Sequence, residues 1–126
     1  GEQPLTPALL LECELDFQQA SDSAFLQELE LMQPFGAGNA EPVFASPELT
    51  VVDRSPLGYS GDHVRLRLKD SASGITLMAK GWNMATAFPP SSVGSRIRVA
   101  YTPRLDYYRG VASIDVGIKD WQPVAD

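Results

Sequence analysis

From residue 48 to residue 120 the chain alternates between apolar and polar residues, in short segments separated by Gly, Pro and Ser. Successive side chains of a β-strand point to opposite faces of a sheet, so this period of two predicts strands that bury one face. The predicted strands span 48–54, 63–70, 74–81, 95–104 and 110–120, with turn-forming loops at 55–61 and 105–109.

The number and order of these strands predict the fold class. Five short strands, with an insert between the third and the fourth, are typical of a small Greek-key barrel of the OB type. The insert spans 82–88, is a candidate short helix and is stopped by Pro89 and Pro90. An SH3-like barrel also has five strands, but the insert at this point disfavours it. We therefore expect a mainly β, five-stranded OB-fold barrel that follows a short N-terminal strand-helix segment.

The N-terminal part of the chain has a different pattern. Segment 9–17 alternates and predicts a strand with one solvated face, and Ser21 or Asp22 can cap a helix that Pro34 ends. A connector rich in Pro and Gly spans 34–47. The helix would present one apolar stripe, formed by Phe25, Leu26, Leu29 and Met32.

Charge is divided unequally along the chain. Residues 1–50 contain nine acidic residues and no Lys or Arg, whereas residues 51–126 hold all 10 basic residues against seven acidic ones. Such asymmetry suggests a polyanionic partner for the basic part only. The alternative is that the acidic part is simply well solvated. A hydrophobic content of 44% is that of a globular protein, and no apolar run is long enough to span a membrane. We expect a soluble piece of a longer protein.

The residue types needed for catalysis or metal binding are scarce. The chain has one cysteine, Cys13, which excludes an internal disulfide framework and a cysteine-cluster zinc site. Its one histidine, His63, has no local partner for a His-based metal site or a Ser-His-Asp arrangement. The acidic pairs Asp115 with Asp120 and Glu28 with Glu30 lack a third partner. The sequence therefore predicts no catalytic residue and no metal ligand.

The alternation assigns a face to each residue of the predicted strands. The outward positions of the second and third strands carry Arg65, Arg67, Lys69 and Lys80. The expected interior residues include Val64, Leu66, Leu68, Ile75, Leu77, Ala79, Ile97, Val99, Tyr101, Ala112, Ile114, Val116 and Ile118.

OB folds usually hold oligonucleotides on these two strands and on the loops before the second and fifth strands. Those loops contain Tyr59, Tyr107, Tyr108 and Arg109. Cations that follow phosphates and flat rings that stack on bases are what single-stranded nucleic acid requires. These eight residues are the candidate binding residues. The alternative is that the cations serve solubility and edge protection and that the tyrosines pack on the barrel end.

Four further residues are interpreted structurally. Trp82 and Trp121 are expected to close the ends of the barrel, and His63 to have a structural or incidental role. Cys13 lies in an apolar stripe and is expected to be buried.

The segment 30–44, Glu-Leu-Met-Gln-Pro-Phe-Gly-Ala-Gly-Asn-Ala-Glu-Pro-Val-Phe, resembles the connector of the RecJ family of bacterial single-stranded-DNA-specific exonucleases. There an acidic helix ends in Leu-x-Pro-Phe-Gly-x-Gly-Asn-Pro-x-Pro-x-Phe. Three later segments are similar to strands and a hairpin of the same family: His63-Val-Arg-Leu-Arg-Leu, Asp106-Tyr-Tyr-Arg-Gly110 and Ile118-Lys-Asp120. Ala40, Asp106 and Tyr107 depart from its usual Pro, Asn and Glu.

The resemblance implies a domain division and a function. Residues 1–33 would be the tail of a DHHA1-type domain, 34–47 the connector and 48–126 the OB domain. The Mn²⁺- or Mg²⁺-dependent chemistry of the family lies in an N-terminal domain, so this fragment would hold no cofactor and cut no DNA. It would help to grip a single strand that the missing core degrades from 5′ to 3′.

The implied partners are single-stranded DNA, the nuclease core of the same protein and single-stranded-DNA-binding protein, in the cytoplasm and without a membrane. Two rival functions stay open. One is an interaction module that clamps the nuclease core or docks a partner, which the apolar stripe of the N-terminal helix suggests. The other is a free-standing nuclease, which would need metal-dependent degradation by this fragment.

Overall fold

The structure, a computed structural model, describes residues 13–32 and 41–125. Within these ranges the chain forms two α-helices, six strands and a 3-10 helix. In chain order they are α1 (Phe17–Ala20), α2 (Ser23–Met32), β1 (Phe44–Ala45), β2 (Leu49–Leu57), β3 (His63–Asp70), β4 (Thr76–Gly81), the 3-10 helix (Pro90–Ser92), β5 (Arg96–Tyr108) and β6 (Val111–Pro123).

The strands close into a barrel of OB topology, as the sequence predicts. Strands β2, β3 and β4 form an antiparallel meander. Strand β4 then pairs in parallel with β6, β6 pairs antiparallel with β5, and β5 returns to β2. A parallel pair needs a long crossover, which here is the segment between β4 and β5 together with β5 itself. The short strand β1 adds to the outer edge of β5.

The strand boundaries differ from the prediction mainly at the ends. Strand β3 has the predicted bounds, whereas β2 extends to Leu57 and β6 to Pro123. The predicted loop at 105–109 is wrong, because β5 continues through Tyr108. The chain reverses only at Arg109 and Gly110, with φ values of 52° and 79°. Two consecutive residues with positive φ form the tight hairpin turn whose twist matches that of the flanking strands.

The insert between β4 and β5 is not an α-helix. Residues 82–88 form turns, and Asn83 has a φ of 61°, which a helix does not allow. The 3-10 helix begins at Pro90, so this proline starts a short helix rather than only stopping one.

The barrel interior holds most of the predicted apolar side chains. Val64, Leu66 and Leu68 of β3 are fully buried, and Tyr101 is the largest buried side chain. Ala112 is exposed and Ile114 is only half-buried, so the prediction that Ala112 faces the interior is wrong. The hairpin formed by the ends of β5 and β6 extends past the barrel and has no core to face.

The described N-terminal residues pack on the barrel. Phe17 is buried and meets the ring of Tyr101 edge-on, with 5.8 Å between centroids. The predicted strand at 9–17 is wrong at its end, because Asp16 caps a helix that begins at Phe17. Glu14 makes a single parallel bridge with Ala45, and residues 9–12 lie outside the described ranges. Cys13 is exposed, which contradicts the expected burial.

The apolar stripe of α2 is also used within this chain. Asp22 caps the helix by accepting the N–H of Ala24 at 3.0 Å. Leu26 is buried, and Phe25 and Leu29 pack against the barrel core. The side chain of Met32 and most of the connector motif, residues 33–40, lie outside the described ranges.

A buried carboxylate fastens the N-terminal residues to the barrel. Asp70, at the end of β3, is fully buried. Its Oδ2 accepts the N–H of Phe17 at 3.0 Å, and its Oδ1 accepts the N–H groups of Ala72 at 3.1 Å and Ser73 at 3.4 Å. One side chain thus joins the start of α1 to the turn between β3 and β4.

We expect Asp70→Ala to lower the free energy of unfolding by about 1–3 kcal/mol, because it leaves the buried N–H of Phe17 and the partly buried N–H groups of Ala72 and Ser73 without their acceptor. Asp106→Ala, at an exposed position of β5, should change it by less than about 0.5 kcal/mol. Urea unfolding followed by tryptophan fluorescence measures both. Equal effects of the two substitutions would contradict the role assigned to Asp70.

The second prediction concerns pH. Burial, and after it the nearby Asp16, Asp70 and Glu14, raise the pKa of Tyr101 well above its ordinary 10.0. Above about pH 10 the unfolded chain therefore loses this proton while the folded chain keeps it, so the stabilisation falls as the pH rises, by up to about 1.4 kcal/mol per pH unit.

The advantage of the wild type over Tyr101→Phe in free energy of unfolding should shrink between about pH 10 and about pH 11. At neutral pH that advantage includes the hydrogen bond that the Tyr101 hydroxyl donates to the Leu15 carbonyl at 2.5 Å. Tyr107→Phe, at an exposed position, serves as control and should follow the wild type at every pH. Parallel profiles for the wild type and Tyr101→Phe would show that burial does not hold the proton.

Candidate nucleic-acid interface

The outward side chains of β3 form the centre of the predicted interface. Arg67 and Lys69 are exposed and Arg65 is half-buried. In the register, Arg65 lies opposite Ser55 on one side and Lys80 on the other. Within residues 13–32 and 41–125, neither Arg65 nor Arg67 forms an ion pair.

A shallow depression of about 200 Å³ runs beside these two arginines. Asp53 lies opposite Arg67 on β2, and Met78 lies opposite it on β4. Both side chains line the depression with Ser55. Positive charge without an ion-pair partner on a concave wall is suited to a phosphate backbone.

Lys80 is less available than the arginines of β3. Its Nζ lies 3.4 Å from Oδ2 of Asp115, on the neighbouring strand β6. Both side chains are partly exposed, so the pair is weak and a phosphate can compete for the ammonium group. Lys69 lies opposite Thr50 on β2 and Thr76 on β4, so neither residue directly opposite it is a carboxylate.

The predicted aromatic residues lie at two opposite ends of this wall. Tyr59 is fully exposed in the turn between β2 and β3. Tyr107 and Tyr108 are exposed near the tip of the β5–β6 hairpin, where the Arg109 guanidinium lies 5.2 Å from the centre of the Tyr108 ring. The tip of the hairpin lies far from Lys80. Val111, beside the hairpin turn, is six residues along β6 from Gly117, the residue that pairs with Lys80, and six residues of strand span about 20 Å. The structure therefore does not gather the eight predicted residues in one pocket. They form a row with rings at both ends.

Trp82 is a candidate that the sequence analysis assigned wrongly. It does not close the barrel: it is 54% exposed and directly follows β4. The alternation of β4 continued through Gly81 would have placed Trp82 on the same face as Lys80. Trp121 does pack against the core, with its ring 4.6 Å from that of Phe88.

His63 has the structural role expected for it. Its Nδ1 accepts the N–H of Asn83 at 2.8 Å, and its ring meets that of Trp82 edge-on at 4.9 Å. The imidazole thus holds the turn that presents the Trp82 ring to solvent.

Two basic residues that the sequence analysis did not single out lie on the same side as Trp82. Arg104 of β5 and Lys119 of β6 both form ion pairs with Glu41, the latter with 2.8 Å between Nζ and Oε1. Burial, and after it the neighbouring Arg104, lower the pKa of Lys119. Lys119 alternates with the buried Val116 and Ile118, so its outward position was readable from the sequence. Arg104 follows five consecutive buried residues, 99–103, so its position was not.

The described residues contain neither a three-ligand metal cluster nor a membrane-spanning helix. In ranges 13–32 and 41–125, no three His, Cys, Asp or Glu side chains are placed so that they could bind a metal together. In the same ranges, no helix has the length and apolar character that crossing a membrane requires.

A known family model matches most of the chain. The family model described as the RecJ OB domain matches residues 11–120. The chain belongs to this family. Its OB topology, in which β4 and β6 pair in parallel, agrees with that description.

Relatives of the family are similar over most of the chain. The single-stranded-DNA-specific exonuclease RecJ of Haemophilus influenzae is 25% identical over 112 residues, which are 86% of this chain and 19% of that protein. Crystal structures of RecJ from Thermus thermophilus with Mn²⁺ and with Mg²⁺ are each 25% identical, with TM-scores of 0.58 and 0.62. They cover 82% and 92% of this chain, which covers 14% and 17% of theirs. The chain therefore spans less than a fifth of the length of these relatives.

One arginine that lines the depression beside Arg65 and Arg67 has a structural role. Arg54 of β2 donates from Nε to the carbonyl of Phe88 at 2.6 Å and from Nη2 to that of Ala85 at 3.4 Å. It thereby ties the 82–88 segment to the barrel.

We expect Arg54→Ala to lower the free energy of unfolding by about 1.5–3 kcal/mol, the usual effect of removing hydrogen bonds from a charged donor. Arg65→Ala and Arg67→Ala should change it by less than about 0.5 kcal/mol, because neither side chain supports another element. Urea unfolding at neutral pH compares the three. A decrease at Arg67 as large as that at Arg54 would mean that Arg67 stabilises the barrel.

Proposed function

We propose that this OB domain binds single-stranded DNA for a RecJ-type exonuclease and is itself non-catalytic. The observation that carries the proposal is the outward face of β3, on which Arg65 and Arg67 have no carboxylate partner among the described residues. Phosphates of a flexible strand would meet these guanidinium groups, and bases would stack on exposed rings beside them.

The arrangement favours backbone contacts over recognition of particular bases. Arg67 and Lys69 are exposed and cationic, and the exposed rings of Tyr59, Tyr107 and Tyr108 can stack on any base. Binding by such groups tolerates sequence and depends strongly on salt. We therefore propose a weak, salt-dependent grip that assists a separate catalytic domain.

We assign the remainder of the function to a longer protein that would contain this chain. We propose that the chain is part of a 5′ to 3′ exonuclease of bacterial DNA repair and recombination, and that Mn²⁺ or Mg²⁺ acts in its catalytic domain. The similarity to the exonuclease of Haemophilus influenzae supports this proposal. The division at 1–33, 34–47 and 48–126, the cytoplasmic location and a contact with single-stranded-DNA-binding protein stay predictions.

The second candidate function is a module that docks the nuclease core or a partner protein. Three residues of the α2 stripe that suggests it in the sequence are already used within this chain: Leu26 is buried, and Phe25 and Leu29 pack against the barrel core. Exposed apolar groups elsewhere support it: Leu31 of α2 is 83% exposed, and Val111 beside the hairpin turn is 67% exposed.

Charge reversal on β3 tests the leading proposal. We expect Arg67→Glu to weaken binding of a fluorescent oligothymidylate at low salt by about tenfold, because one attractive phosphate interaction becomes repulsive. The double variant with Arg65→Glu should abolish measurable binding. Fluorescence anisotropy at several salt concentrations measures affinity, and the slope of log K against log salt should fall by about 0.7 for each phosphate that the variant no longer neutralises.

Arg98→Glu is the matched control. Arg98 is exposed and outward-facing like Arg67, but it lies on β5, away from β3 and β4. It should leave affinity within about twofold, since only the net charge changes. If the wild type fails to bind at high micromolar protein, or if the Arg65 and Arg67 variants bind like the control, the docking module becomes the better explanation.

A further inference from the structure

A second cavity lies on the barrel wall formed by β4, β6 and β5, beside the β3 face. It has a volume of about 120 Å³. The cations Lys80, Arg104 and Lys119 line it together with the carboxylate of Asp115, and Trp82 and Thr102 complete its polar and aromatic lining. Pockets that enclose a whole small molecule usually exceed about 300 Å³. This cavity is of a size for a phosphate group, with the rest of a ligand outside it.

The floor of the cavity is formed by a glycine, although the backbone conformation at that position does not require one. Gly117 of β6 lies between Lys80 of β4 and Thr102 of β5 in the register. Its φ is not in the left-handed region, and a Cβ there would come no closer than 3.7 Å to another heavy atom, the carbonyl oxygen of Thr102. Glycine inside a strand weakens it and often marks a place where a ligand approaches the backbone. The missing side chain is what opens this cavity.

The charges around the cavity leave one positive charge over. Three cations, Lys80, Arg104 and Lys119, face two carboxylates: Asp115 pairs with Lys80, while Glu41 is shared by the other two. Two cations that share one carboxylate repel each other, and an added anion relieves that repulsion. One phosphodiester, with its single negative charge, would balance the cavity.

The aromatic side of the cavity is held in place. Trp82 is about half exposed, and the edge contact with His63 and the hydrogen bond from Asn83 to His63 fix its turn. A ring that is fixed before binding loses little conformational entropy when a base stacks on it.

We propose that this cavity binds one phosphodiester of single-stranded DNA and that the attached base stacks on Trp82. The strand would then continue from the β3 arginines across β4 onto β6. This inference rests on the proposed function and extends it to a defined subsite, in which Gly117 leaves room for the phosphate and His63 is a positioning residue for Trp82.

The test uses the 126-residue chain with Trp121→Phe as background, which leaves Trp82 as its only tryptophan. Titration with an oligothymidylate should quench Trp82 fluorescence, with the same midpoint as the anisotropy of a labelled oligonucleotide. Trp82→Ala should weaken binding by about 5- to 150-fold, the range for the removal of one base–aromatic stack. Trp82→Phe should recover most of it.

Gly117→Val tests the cavity separately from the ring. Valine favours strands, so the unfolding midpoint should stay the same or rise. Its side chain fills the cavity, so binding should weaken at least tenfold and the salt slope should fall by about 0.7. Gln122→Val, at an outward position of the same strand beside Arg98, is the matched control and should bind like the background.

The outcomes separate this inference from the proposed function. Binding by anisotropy without a change in Trp82 fluorescence, or normal binding by Gly117→Val, would overturn the subsite and leave the β3 interface standing. Absence of any binding would overturn both. Thymidine monophosphate is the probe for a free nucleotide. If it quenches Trp82 at the same concentrations as the oligonucleotide, the cavity does not hold a unit of a strand.

Discussion

Closure of the barrel depends on the parallel pairing of β4 with β6. The three strands β2, β3 and β4 could form an open meander by local turns alone. Because β6 joins β4 at Met78, Ala79 and Lys80, the sheet curls until β5 reaches β2. This pairing also brings Lys80, Gly117 and Thr102 side by side, although they are far apart in the sequence. The candidate binding face is therefore a consequence of closure rather than of any local motif.

The sequence predicted the barrel because burial on one face imposes a strict period of two. Strand β3 shows this most clearly: Val64, Leu66 and Leu68 are completely buried and the residues between them face outward. The prediction was wrong where that constraint ends. The outer end of the β5–β6 hairpin, with Tyr108, Val111 and Ala112, lies beyond the core. Its polar and aromatic residues therefore resembled a loop in the sequence, but hydrogen bonds between the two strands keep it regular.

The sequence predicted which cations lie at the candidate site, but it did not predict which carboxylates form ion pairs with them. Alternation placed Arg65, Arg67, Lys69 and Lys80 outward, but which of them meets a carboxylate depends on register between strands. Asp115 reaches Lys80 only because β6 lies beside β4, and Glu41 reaches Arg104 and Lys119 from a segment outside the predicted barrel. Trp82 was misassigned because large rings are usually buried, a tendency that the turn at Asn83 overrides.

The buried links at Asp70 and Tyr101 have a consequence for where the folding unit begins. A fragment that started at residue 48 would lack Phe17, which packs on Tyr101 and donates its N–H to Asp70. It would also lack Leu15, the acceptor of the tyrosine hydroxyl. Such a truncated barrel would expose an aromatic ring and leave a carboxylate with fewer donors. A pull on the residues before the barrel would therefore be transmitted directly to β3 and β5, the strands that carry Arg65, Arg67 and Arg104.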